Sequence, residues 1–181
     1  MKNVLVIIFM AAGVLTGRLL AQGHEIVNKE KMKVFADWAG HWKGEGSLQS
    51  GPGEVKKSTV DERIEWKLDG MILMVEGVGK TFDEATRKET VVHHAFAVLS
   101  FDQNSGDYKF RTYLKDGRST DAWLKIVGQN KYQWGFETPG GKVRYNILMD
   151  PAKKTWNETG EFSQDGNSWR GFFEMNLTKV D

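Results

Sequence analysis

The chain has 181 residues, 20 of them glycine, 17 of them Trp or Phe, and none of them cysteine. That length makes one domain with its own core, and zero cysteines exclude disulfides and thiolate metal sites. A formal net charge of +1, with both signs mixed along the chain, leaves no basic footprint for nucleic acid or for an anionic membrane surface.

Residues 1–23 read as a signal peptide. Lys2 supplies a positive start, Val4 to Leu15 an apolar run, and Ala21-Gln22-Gly23 small residues at the positions a signal peptidase reads. The run is short for a membrane anchor, Arg18 interrupts its far side, and no cysteine is present for a lipid anchor. The expectation is an exported domain, periplasmic or secreted, over residues 24–181 with no membrane span. Losing Lys2 and Arg18 leaves 23 basic against 24 acidic residues, a charge of −1.

Glu25 to Ala36 is the single helical stretch. Ile26, Val27, Met32, Phe35 and Trp38 fall on one face, and Lys29, Glu30, Lys31 and Lys33 on the other. From Gly40 onward the period is two. Strand one is predicted over His41–Gln49, strand two over Ser58–Leu68 and strand three over Met71–Lys80. The Asp69-Gly70 turn sets a register that opposes Trp66 to Leu73, Ile64 to Val75 and Glu62 to Gly77. Strand four covers Val91–Phe101. Strands five and six, Tyr108–Leu114 and Arg118–Val127, join through Lys115-Asp116-Gly117 and put Phe110, Thr112 and Leu114 on the face of Thr120, Ala122 and Leu124. Lys131–Glu137, Lys142–Met149, Thr155–Phe162 and Ser168–Lys179 complete the set, each bounded by Gly, Pro, Asp or Asn turns. Ten short-looped strands predict an all-β fold: one antiparallel up-and-down β-barrel, with the N-terminal helix closing one end. A two-sheet sandwich would need longer crossovers.

The triplet Gly40-His41-Trp42, after a helix and before a meander, resembles the signature of the calycin superfamily, which includes lipocalins and fatty-acid-binding proteins. That resemblance implies that Trp42 plugs the closed end and that Lys179, standing where lipocalins carry Arg, packs across it. The longer form Gly40-x-Trp42-x-Gly44-x-Gly46 is similar to the opening of nitrobindin-type haem barrels. Those ligate iron through a histidine in the C-terminal strands, whereas the four histidines here are at 24, 41, 93 and 94. More broadly the chain looks like secreted bacterial calycin-like proteins of unassigned activity.

Candidate chemistry lies on the inward phase. Glu62 falls in phase with Val60, Ile64 and Trp66, opposite a glycine that leaves it room. Glu158 shares a face with Trp156, Gly160 and Phe162. An inward carboxyl needs a partner or a raised pKa; the bland alternatives are a structural ion pair, a bulge that turns Glu62 outward and a rim position for Glu158. Arg144 is the partner Glu158 would have if strand eight turned it inward, although Val143, Tyr145, Ile147 and Met149 form the better inward set. Of His93 and His94 one must face in. Phase with Val92, Phe96 and Val98 selects His94, and phase with Val91, Ala95 and Leu99 selects His93. Two ligands on opposite faces of a strand cannot share an ion, so no metal site is expected.

These readings give a ligand-binding set of Glu62, Trp66, His94, Phe110, Trp134, Glu158 and Phe173, taking a small, mainly apolar molecule inside the barrel with no cofactor. Ordinary core is the competing role for the aromatic members. Two further readings are an isomerase- or decarboxylase-like barrel enzyme using interior Glu and His, and a haem-binding barrel. A fourth is a filled barrel docking a partner through Tyr113 and Trp123 on its exterior.

Overall fold

The structure, a computed structural model, describes residue 23 and residues 25–181; the expected leader, Gly23 apart, lies outside the described residues. Residues 25–32 are α-helical, and the chain then tightens into a 3-10 turn over Lys33–Trp38. The tightening has a reason in the sequence. Met32, Phe35 and Trp38 are spaced three apart, the period of a 3-10 helix, and all three are buried. Ile26 and Val27, expected on the same apolar face, are 63% and 37% exposed, because the packed stripe begins a turn later.

Ten strands follow: β1 (Gly40–Gly51), β2 (Glu54–Lys67), β3 (Ile72–Asp83), β4 (Lys88–Asp102), β5 (Asp107–Leu114), β6 (Ser119–Gly128), β7 (Lys131–Thr138), β8 (Gly141–Asp150), β9 (Thr155–Ser163) and β10 (Arg170–Lys179). Each pairs antiparallel with its neighbours in sequence, and β1 pairs with β10, so the sheet closes into a barrel without a free edge. The predicted register of β2 on β3 is the observed one, with Glu62 opposite Gly77, Ile64 opposite Val75 and Trp66 opposite Leu73. Between β5 and β6, Phe110 opposes Ala122 and Thr112 opposes Thr120, as the loop with Gly117 at φ 87° requires. β2, β3 and β4 run further than their patterns suggested, to Glu54, Asp83 and Lys88, because each continues a ladder its neighbour has already built.

The helical segment closes the end at which β1 begins. Phe35 packs edge-on against Tyr108, and Trp38 against Tyr132, at centroid distances of 5.0 and 5.1 Å. The Tyr108 and Tyr132 hydroxyls donate to the Lys31 and Val34 carbonyl oxygens at 2.9 Å each. Trp42 donates its indole N–H to the Trp38 carbonyl at 2.8 Å, and the Lys179 ammonium lies 5.3 Å from the Trp42 ring centre. Gly40, at φ 134°, makes that crossing possible, since a Cβ there would collide with the Lys179 side chain. Outward positions on β1 and β2 carry Lys43, Glu45, Asp61, Arg63 and Glu65, so this wall is polar outside and apolar inside. Among the described residues no helix is long and apolar enough to cross a membrane.

Candidate functional site

Glu62 faces the barrel interior from the middle of β2, flanked by Trp42 on β1 and Gly77 on β3. A Cβ on Gly77 would overlap the Glu62 carboxyl, so the glycine lets that side chain lie across β3. Gly44 and Gly46 of β1, with Gly77 and Gly79 of β3, leave the inner wall on both sides of β2 bare of side chains. Glu62 stands over that bare wall.

Glu158 projects inward from β9, which is separated from β2 by β1 and β10. It is 6% exposed and accepts a 2.9 Å hydrogen bond from the Trp134 indole N–H. Trp134 is itself fixed by aromatic contacts. Tyr145 stacks on it at 4.1 Å with planes 9° apart, and Phe110 meets it edge-on at 5.2 Å. Tyr145 in turn meets the edges of Phe172 and Phe173, each at 5.8 Å.

The electrostatics follow from burial. Desolvation and then the charge of Glu158 push the Glu62 carboxyl up to about 8. Desolvation raises Glu158 to about 7, with the Trp134 N–H pulling the other way. Burial and the nearby Glu158 charge also push the Tyr145 phenol up. The two carboxyls therefore stand near enough to repel and hold protons at neutral pH, where exposed carboxyls hold none. Glu62 has no hydrogen-bond or ion-pair partner among the described residues. Protein surrounds its carboxyl, yet the residue retains some accessible surface. Val60, Trp134, Phe136 and Tyr145, all inward, keep partial exposure in the same way.

The structure brings Glu62, Phe110, Trp134, Glu158 and Phe173 of the expected set to this interior. Trp66 also points inward but opposes Leu73 at the sealed end, below the carboxyls. His94 is a correction. It opposes Val78 on the outer face, and its Nε2 lies 2.9 Å from the Glu76 carboxylate. His93 is the inward one, opposite Gly79 near the open mouth, where burial and then the neighbouring His94 lower its pKa. Its phase matches Ala95, Ala97 and Leu99, which oppose the inward Gly77, Val75 and Leu73; the competing phase fails because Phe96 and Val98 oppose Glu76 and Met74 on the outer face. Arg144 is no partner of Glu158: its guanidinium binds Glu161 at 2.7 Å and stacks 3.8 Å over Trp169.

Two participants lie beyond the expected set. Tyr145 is inward by the phase of strand eight, but its stacking on Trp134 is written in no spacing. Trp156 is 3% exposed, and its indole N–H finds no acceptor at hydrogen-bond distance, although it lies close enough to Glu158 to lower that carboxyl's pKa. On the exterior, Tyr113 opposes Ser119 while Trp123 opposes Lys109, so the two rings lie at different heights of the hairpin and form no single patch. A shallow outer groove between Lys43, Asp61, Lys80 and Glu89 holds charges of both signs that offset one another.

No protein-family model matches the chain, and no curated protein does. Among solved structures it is similar to a protein of unknown function, of the DUF3598 family, from Nostoc punctiforme PCC 73102. Identity is 8%, the match covers 82% of this chain and 98% of that one, and the TM-score is 0.26. A likeness of that size carries no argument about function. The site must be argued from its own geometry.

Proposed function

We propose that this calycin-type barrel binds a small, mainly apolar molecule in its upper interior, with a polar head at Glu62 and Glu158. The observation that carries this reading is Glu62: an unpartnered inward carboxyl, laid across Gly77, in a residue that keeps part of its surface accessible. A carboxyl in that position costs stability if it serves only the fold. The aromatic wall of Phe110, Trp134, Tyr145 and Phe173 supplies apolar area for the rest of the ligand. The apolar leader-like start of the chain supports export as the setting.

Titration with 1-octanol, followed by tryptophan fluorescence, tests this directly. The expected result is a saturable change that Gly77→Val abolishes, because a branched side chain there displaces Glu62. A linear, unsaturable response, or one unchanged in Gly77→Val, sinks the proposal.

A second reading draws on the same pair. Carboxyls at about 8 and about 7 are poised as acid and base near neutral pH, as proton transfer on a bound molecule requires. Exchange of deuterium into the α-carbons of 2-octanone, lost in Glu158→Gln, would support it; a rate no higher than buffer would remove it.

A further inference from the structure

The upper interior is acidic without a compensating base. Beside Glu62 the inward positions are Trp42 on β1 and Gly77 on β3, neither of them charged. On β2 the other charges in the inward phase are Lys56, opposite Leu48 at the mouth, and Glu54, with which it pairs at 3.5 Å. His93 of β4 stands at the same mouth with its pKa lowered, and Arg170 of β10 is exposed opposite Phe162. Lys179 lies beneath Trp42, on the far side of the sealing layer. Tyr145 of β8 is the remaining titratable group beside the pair, and burial keeps it protonated. Tyr108 and Tyr132 are committed to the helix below. Among the described residues, then, no cation reaches either carboxyl.

The walls are suited to what the carboxyls lack. Trp134 and Tyr145 present electron-rich faces within one stacked pair, and such faces attract cations most strongly where water is excluded. One polar group there still wants a donor or a cation: the Glu62 carboxyl, which has no hydrogen-bond or ion-pair partner among the described residues. A carboxylate ligand would bring a third negative charge to a pair that already resists full ionisation. An alcohol would find hydrogen bonds but would leave the charge problem as it is. An ammonium resolves it.

We infer that the interior selects a hydrophobic amine in its protonated form, the ammonium lying between Glu62 and Glu158 and the hydrocarbon along Trp134, Tyr145 and Phe173. This rests on the proposal that the barrel binds a ligand in its interior, and it names that ligand's class. It has a proton signature. A free amine is charged at neutral pH, as lysine is. Seating that charge favours the ionised carboxylates, so binding expels protons the empty site held, and affinity rises as pH climbs from about 6 to about 8.

Calorimetric titration of octylamine, 1-octanol and octanoate at pH 7, in two buffers of different ionisation heat, tests the inference. Octylamine should bind at least about tenfold more tightly than 1-octanol, with octanoate weakest, and should release about one proton per molecule bound. In the isosteric Glu62→Gln, octylamine should lose at least about tenfold more affinity than 1-octanol does, and its proton release should fall. If 1-octanol or octanoate binds as tightly as octylamine, or no proton is released, the amine assignment is overturned while interior binding stands. If Glu62→Gln weakens amine and alcohol alike, the carboxyl is acting on cavity shape, and the assignment is overturned by that result too. If none of the three binds, both fall.

Discussion

At the end of the barrel where β1 begins, Met32, Phe35, Trp38 and Trp42 are at most 2% exposed, and Leu73 and Leu99 are fully buried with them. Trp42, Tyr108 and Tyr132 each have a hydrogen-bond partner in that layer, while the indole N–H groups of Trp38 and Trp156, which pack there, have none at hydrogen-bond distance. Half a barrel away, the inward residues are glycines on one wall and part-exposed aromatics on the other, with two carboxyls between them. One sheet thus supports two packing regimes. The lower half has the close packing from which a fold draws its stability. The upper half keeps part-exposed aromatics and a carboxyl without a partner, which stabilise nothing by themselves and suit a ligand.

The largest effect should come from breaking the lower half. Trp42→Ala removes the ring that Lys179 and Trp156 pack against, and should cost about 3–5 kcal/mol in urea unfolding. A loss under about 1 kcal/mol would mean that the plug is not where the stability resides.

The upper half should show itself through pH. Glu62 rises from an ordinary 4.5 to about 8 on folding, so the native state binds more protons than the unfolded chain across that window. Its contribution is therefore fully present below about 4.5 and is lost as pH rises through 8. Wild type should lose on the order of a few kcal/mol between pH 5 and pH 8.5, and Glu62→Gln should flatten part of that slope. Parallel stability curves for the two proteins would contradict the burial of this carboxyl.

A smaller effect tests the link between helix and barrel. Tyr132→Phe removes one hydroxyl bond to Val34 and should cost about 1 kcal/mol, with faster amide exchange confined to residues 33–38. The smallest belongs to the outside. His94→Ala should shift stability by less than about 0.5 kcal/mol and leave octylamine binding unchanged, since the Glu76 pair is exposed. A loss of binding there would return His94 to the site.

Much of this was legible in the residues. Two-residue periodicity and a glycine in each of two tight turns specify the register of β2 on β3 and of β5 on β6, because turn geometry dictates which residues oppose. The inward phase of Glu62 follows from the first of these registers, and that of Glu158 from its alternation with Trp156 and Phe162. His94 shows the limit. Alternation says that one of two neighbours faces in, but the pairing of Ala95, Ala97 and Leu99 with the inward residues of β3 decides which, because both phases carry apolar residues. Arg144 shows the same limit for pairing: its partner is Glu161 because β8 and β9 place those two residues directly opposite on the outer face.

By itself the sequence determined the strand count, the helical plug and the inward carboxyls. Those depend on period, turn chemistry and the spacing of Met32, Phe35 and Trp38, all properties of neighbouring residues. Only the tertiary structure decided that Glu158 of β9 and Glu62 of β2 face one interior, that Tyr145 stacks on Trp134, and that Gly77 accommodates the Glu62 carboxyl. Those depend on barrel closure, which sets strands distant in sequence face to face across an interior that no run of residues encodes.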